Sequence, residues 1–92
     1  MKLRVGDVVC FIYDTVCYHK SRIEGGEYRR MMCNPTSGLA IVTSVHTNSK
    51  QTIITMIVSQ YSQELVSYFT NGADYVDEYI KIIYSLCDHQ HV

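Results

Sequence analysis

The chain has 92 residues, a net charge of −1 and a 47% share of apolar residues, which together exclude both a two-domain protein and an intrinsically disordered one. Its isoelectric point of about 6.4 excludes a strongly basic protein of the kind dedicated to binding duplex nucleic acid. We therefore expect one folded domain that spans residues 1–92.

The first predicted strand covers residues 3–13, where apolar side chains occupy both alternating positions. Because neither face of such a strand is polar, we expect it to be covered on both sides. Gly6-Asp7 near its start predicts a bulge or a tight bend, where a residue without a Cβ atom relieves the backbone. By alternation, one face carries Val8, Cys10 and Ile12, and the other carries Val9, Phe11 and Tyr13.

Residues 14–37 form the least regular stretch of the chain. They contain Gly25-Gly26 and most of the turn-prone segment NPTSG at residues 34–38, which includes the only proline. Two short strands, around residues 16–23 and 27–33, are predicted to form a hairpin that turns at Gly25-Gly26.

The remaining elements follow from β-branched runs separated by polar breaks. Residues 39–46 and 51–59 predict a hairpin around a polar turn, and residues 64–70 predict the next strand. Asn71-Gly72 predicts a turn, because this dipeptide readily takes positive φ angles. The acidic segment 73–79 lacks alternation and predicts a single helical turn, after which residues 80–86 predict a short last strand and residues 87–92 a polar tail.

Three pieces of sequence, VGDVV at residues 5–9, GLAIVTSV at 38–45 and IKII at 80–83, resemble short proteins encoded by tailed bacteriophages. In those proteins a V-G-D-x-V opening precedes a G-x-x-x-V-x-x-V strand that is similar to the second half of a KOW motif. The resemblance implies a mainly β fold: a small SH3-like antiparallel barrel with a long first loop and one short helical turn before the last strand. It also implies a phage origin, and phage accessory proteins are non-enzymatic as often as not.

Basic and aromatic side chains alternate between residues 18 and 30, which hold four of the eight Lys/Arg residues. Such a segment can contact phosphates and stack on bases, but Tyr and Arg are also the favoured anchors of protein interfaces. Glu24 and Glu27 dilute the positive field and favour the protein interface. The alternative is a solvated loop whose long side chains only cover the barrel. The predicted partner-binding residues are Tyr18, Lys20, Arg22, Tyr28, Arg29 and Arg30.

Charge is distributed unevenly along the chain. Residues 1–60 carry seven basic and four acidic side chains, a net +3, whereas residues 61–92 carry one and five, a net −4. The acidic segment 74–78 could pair with the basic segment within one molecule or between two copies. Exposed strand edges likewise favour self-association into a homodimer. Imitation of nucleic-acid charge is the weaker interpretation because the acidic segment is short.

Thiols and imidazoles, the ligands that zinc prefers, occur in several places. No C-x₂-C or H-x₃-H spacing is present, so we favour buried thiols at Cys10 and Cys33 and a polar tail over a metal site, and we expect no cofactor. An enzyme is also not expected, since no nucleophile turn or oxyanion-hole motif appears and the carboxylates of residues 74–78 suit capping or solvation. The residues considered as metal ligands are Cys17, His19, Cys33, Cys87, His89 and His91.

The amino terminus begins like a signal peptide, but Asp7 and Asp14 interrupt the apolar segment that such a peptide needs. No apolar run approaches the roughly 20 residues that span a bilayer. The chain is therefore predicted to be cytoplasmic, in the host cell if phage-encoded, with reduced cysteines and no membrane partner.

The predicted function is that of a small non-enzymatic binding protein. We expect a phage accessory protein, for host takeover or anti-defence, that binds and modulates a host or phage protein through the loop at residues 18–33. The first alternative is a KOW-like nucleic-acid-binding module, which is less favoured because the surroundings of the KOW-like strand are not distinctly basic. The second alternative is a structural or decoration protein of the virion.

Overall fold

The computed structural model describes residues 3–19, 29–70 and 75–85. Its strands form one antiparallel sheet in the order β3-β2-β6-β5-β4-β1-β7, which confirms the predicted mainly β fold with one short helix before the last strand. The elements are β1 (Val8–Phe11), β2 (Thr15–His19), β3 (Arg30–Cys33), the 3₁₀ helix η1 (Pro35–Ser37), β4 (Ala40–Thr47), β5 (Gln51–Val58), β6 (Gln63–Thr70), α1 (Tyr75–Tyr79) and β7 (Ile80–Tyr84).

The meander β4-β5-β6 forms the middle of the sheet, as its β-branched runs predict. The turn between β4 and β5 is held by the Asn48 side chain, whose Oδ1 accepts hydrogen bonds from the backbone N–H groups of Lys50 (2.8 Å) and Gln51 (2.9 Å). This is the Asx-type turn that favours Asn at such positions. The hairpin predicted at residues 39–46 and 51–59 and the strand predicted at residues 64–70 are both confirmed.

The predicted hairpin within residues 16–33 is confirmed where the structure describes it. β2 pairs with β3 in antiparallel register, and its far end pairs with β6. The proposed turn at Gly25-Gly26 lies outside the described residues. Strand β2 therefore joins the long early loop to the meander.

The first strand is shorter than predicted: it begins at Val8 rather than at residue 3. A turn at Val5-Gly6 precedes it, and Gly6 takes a φ of 95°, which is the bend that Gly6-Asp7 predicted. The buried Asp7 carboxylate accepts hydrogen bonds from the Arg4 N–H (2.9 Å) and the Ser85 hydroxyl (2.8 Å), so its burial leaves neither oxygen unpaired. The expectation that both faces are covered is wrong at Tyr13, which is 61% exposed beyond the end of β1.

The short helix α1 ends directly at β7, and Ile80 enters the core at that junction. Residue 86, included in the predicted last strand, lies outside the described residues, as do the Asn71-Gly72 turn and the tail 87–92. The turn-prone segment at 34–38 forms η1, capped by the Asn34 side chain, and Gly38 follows with a φ of 85° and a ψ of −164°, a conformation that is essentially restricted to glycine.

The hydrophobic core lies on the inner face of the curled sheet. An extra residue, Thr43, interrupts the β4–β5 register between Val42 and Ser44, and bulges of this kind bend a strand and increase its twist. The curl lets β1 and β7 close over side chains from β5 and β6. The core residues are Val9, Phe11, Cys17, Cys33, Ala40, Val42, Ile54, Met56, Val58, Leu65, Phe69 and Ile80.

Candidate functional site

The outer face of the sheet can be traced from the strand register, since opposite residues on paired strands point to the same side. Tyr18 of β2 lies opposite Arg30 of β3 and Val66 of β6, and Val66 lies opposite Thr55 of β5. Ile57 of β5 continues this face, because it lies two residues beyond Thr55. Ile41 of β4 lies opposite Ile57, so the same face runs across the five strands β3, β2, β6, β5 and β4.

Large apolar side chains are exposed across this outer face. Ile41 is 50% exposed, Tyr68 48%, Met32 44% and Ile57 39%, although an antiparallel sheet with one solvated face normally carries polar residues on it. We name this region the outer apolar surface. It consists of Val16, Tyr18, Met32, Ile41, Ile53, Ile57, Val66 and Tyr68.

The centre of the outer apolar surface is already packed. Val66 is only 8% exposed and Thr55 only 6%, because their neighbours on the same face cover them. The rings of Tyr18 and Tyr68 meet edge to face with centroids 5.8 Å apart, an arrangement that aromatic pairs prefer. The two tyrosines are thus held in fixed positions, which lowers the entropic cost of using them in an interface.

Two of the six predicted partner-binding residues, Tyr18 of β2 and Arg30 of β3, lie opposite each other at one edge of this surface. Arg29 precedes Arg30 and is also exposed, but alternation turns its side chain toward the opposite face of the sheet. The Arg29 carbonyl accepts a hydrogen bond from the His19 N–H at 3.0 Å, which extends the pairing of the two strands. The other three predicted residues, Lys20, Arg22 and Tyr28, lie outside the described residues.

The sequence interpretation missed the apolar residues on the middle strands. The run TIITMIV at residues 52–58 holds Ile53 and Ile57 in one alternating phase and Ile54, Met56 and Val58 in the other. A strand that is apolar in both phases is predicted to be covered on both faces, yet Ile57 of β5 is 39% exposed.

Two buried cysteines form a thiol pair beneath the surface. Cys33 is buried as predicted, whereas the expectation is wrong for Cys10, which is half-buried. Cys17 and Cys33 are both fully buried, and the Cys17 Sγ lies 3.0 Å from the Ser67 Oγ. The hydrogen bond to Cys17, together with burial, raises the pKa of the Cys33 thiol. The same bond lowers the pKa of the Cys17 thiol, an effect that burial opposes and the Ser67 hydroxyl assists. Their enclosure in the core suits a packing role, because reactive cysteines are partly exposed.

The metal ligands considered from the sequence are only partly brought together. Cys17 and Cys33 are adjacent, and His19 lies two residues further along β2. Within residues 3–19, 29–70 and 75–85, no group of three or more His, Cys, Asp or Glu side chains is placed to hold a metal ion. Cys87, His89 and His91 lie outside these ranges.

The acidic segment contributes Asp77 and Glu78 on α1, while Asp74 falls outside the described residues. Helix α1 lies between β6 and β7 in the chain and contacts both strands. The described part of the chain has no helix with the length and hydrophobicity needed to cross a bilayer.

Comparisons with protein-family models, with curated proteins and with solved structures give no match to this chain.

Proposed function

We propose that this chain is a small non-enzymatic binding protein that holds a protein partner against the outer apolar surface and the basic edge formed by Arg29 and Arg30. The observation that carries the proposal is the row of Ile41, Ile57 and Tyr68, each 39–50% exposed on one face of the sheet. Leaving such side chains in water is unfavourable, and covering them with a partner removes apolar area from solvent.

The chemistry of this surface favours protein over nucleic acid. Aromatic residues, Met and Arg are enriched where proteins meet, and Tyr18, Met32 and Arg30 are neighbours here. A single-stranded nucleic-acid site combines aromatic platforms with a basic groove that follows the backbone, whereas this surface is mostly aliphatic. The KOW-like nucleic-acid-binding module therefore remains less favoured than a protein-binding role.

The biological setting of the proposal comes from the resemblance to short phage proteins. In that setting the protein acts in the cytoplasm of the infected cell as a host-takeover or anti-defence factor, and it modulates a host or phage protein by occupying one of its surfaces. Tyr18 and Tyr68 would supply apolar contact, and Arg30 would pair with a carboxylate of the partner. A decoration protein of the virion would use the same surface. Detection of this chain in purified virus particles would identify that role.

A capture experiment tests the proposal. Immobilised protein, exposed to lysate of infected host cells, is expected to retain a specific protein that the Tyr68→Lys variant does not retain, because a lysine amine cannot be buried unpaired at the interface. The matched control is Ser49→Lys in the exposed β4–β5 turn, which adds the same charge away from the surface. Retention is measured by mass spectrometry of the bound fraction.

Equal capture by both variants would overturn the outer apolar surface as the binding site. Capture of nucleic acid instead, with affinity that falls steeply as salt rises, would favour the KOW-like alternative. Self-association would also cover the outer apolar surface, so the oligomeric state is measured by sedimentation. A homodimer that the Tyr68→Lys variant does not form would make a second copy of this chain the partner.

A further inference from the structure

Three sulfur-containing side chains lie together on the inner face of the sheet. Cys17 of β2 lies directly opposite Met31 of β3, and Cys33 lies two residues beyond Met31 on the same strand. Opposite residues on paired strands share a face, and so do residues two apart on one strand. Because Cys17 and Cys33 are both fully buried in the core, the shared face is the inner one.

The two thiols contact each other and a third polar group. A hydrogen bond joins the Cys17 and Cys33 side chains, which the register sets on a diagonal across the two strands. The Cys17 Sγ also lies 3.0 Å from the Ser67 Oγ. Met31 is half-buried and packs against the core cluster that contains both cysteines. The Met31 side chain therefore borders the thiol pair.

The chemistry of sulfur decides which ion these side chains can hold. Thiolate and thioether ligands select soft ions such as copper(I). Copper(I) accepts two or three sulfur ligands, whereas a structural zinc site is tetrahedral with four ligands. In the part of the chain that the structure describes, no group of three His, Cys, Asp or Glu side chains could hold an ion. The Met31 thioether, which is not one of these groups, supplies the third ligand to the thiol pair.

We propose that Cys17, Cys33 and Met31 bind copper(I) through their three sulfur atoms. One Cu⁺ ion and two neutral thiols give a complex of charge −1 and release two protons to solvent, and the oxidation state of copper does not change. The Ser67 hydroxyl, 3.0 Å from the Cys17 Sγ, is placed to donate a hydrogen bond to the thiolate. That bond offsets part of the cost of burying the charge.

The bound ion would link the two ends of one segment. Cys17 and Cys33 flank residues 18–32, which contain all six of the predicted partner-binding residues, and β3 stands at the end of the sheet order. An ion that binds only the folded chain stabilises it by mass action. The inference does not rest on the proposed protein partner, because copper can be tested alone.

The test is an anaerobic titration of the fully reduced protein with Cu⁺, supplied as its acetonitrile complex, in competition with the chelator bicinchoninate. The titrated chain carries Cys10→Ser and Cys87→Ser, so that Cys17 and Cys33 are its only thiols. We expect one ion per chain, a thiolate-to-copper charge-transfer band in the ultraviolet and a higher thermal midpoint. X-ray absorption at the copper edge is expected to show sulfur ligands only.

Variants assign the ligands. Cys33→Ser is expected to abolish competition with the chelator, and Met31→Leu, which nearly conserves side-chain volume, is expected to weaken binding at least about tenfold. The matched control is Met32→Leu, the same change on the next residue, whose side chain alternation turns to the outer face; it should leave the affinity unchanged.

Three results would each overturn the proposal. They are failure to compete with bicinchoninate, nitrogen or oxygen ligands in the X-ray absorption spectrum, and equal effects of Met31→Leu and Met32→Leu. The spectrum is recorded on the chain that retains all three sulfur ligands, so it decides the matter even if Cys33→Ser does not fold.

Discussion

Replacing Leu65 with alanine is expected to lower the free energy of unfolding by about 2–5 kcal/mol. Leu65 is fully buried on the inner face of β6, where it lies opposite Met56 of β5. Removing its branched end leaves a void that the close-packed sheet cannot fill, so both the transfer free energy and the packing contacts are lost. Equilibrium unfolding in urea, monitored by far-ultraviolet circular dichroism, measures the change.

The matched control is Ile57→Ala on the neighbouring strand. Ile57 is 39% exposed on the outer face, so its truncation is expected to cost no more than about 1 kcal/mol. If Leu65→Ala does not fold, Ile54→Val reports on the same core with an expected loss of about 0.5–1.5 kcal/mol. Equal losses for Leu65→Ala and Ile57→Ala would contradict the assignment of inner and outer faces.

Removing the basic side chains of the early loop is expected to abolish partner binding. The combined change of Lys20, Arg22, Arg29 and Arg30 to alanine should weaken the complex by at least about 100-fold, since one arginine anchor can contribute about 2 kcal/mol or more. Arg29 and Arg30 are exposed, so the thermal midpoint should stay nearly unchanged. Isothermal titration calorimetry against the captured partner and a thermal melt measure the two quantities.

The control for this prediction is Lys50→Ala, which removes an exposed basic residue from the β4–β5 turn. It is expected to leave affinity within about twofold, because rim charges distant from an interface contribute little. A collapse of the thermal midpoint in the quadruple variant would assign the early loop a structural role. Unchanged affinity would remove the basic edge from the binding site.

Much of the fold could be predicted from local sequence. The β4–β5 hairpin follows from two β-branched runs around Asn48, and α1 follows from an acidic segment without alternation. Strand β1 begins later than the sequence predicts because the turn at Gly6 ends the pairing between strands. The residues before Gly6 are apolar enough for a strand, so the local pattern does not reveal this. The exposure of Tyr13 depends on where β1 ends relative to β7, which is a property of the assembled sheet rather than of the local pattern.

The candidate site was predictable only in part. Tyr18, Arg29 and Arg30 stand out by residue type and lie close together at one sheet edge. The contact of Tyr18 with Tyr68 joins residues that are 50 positions apart in the sequence, and no periodicity within either strand contains that information.

In the proposed complex the outer apolar surface, and not the inner face, meets the partner. The most direct measurement is methyl cross-saturation transfer from the unlabelled partner to deuterated protein carrying protonated isoleucine methyl groups. We predict attenuation at Ile41, Ile53 and Ile57 and none at the buried Ile54 and Ile80. Attenuation absent from the first three residues in a saturated complex would contradict the account.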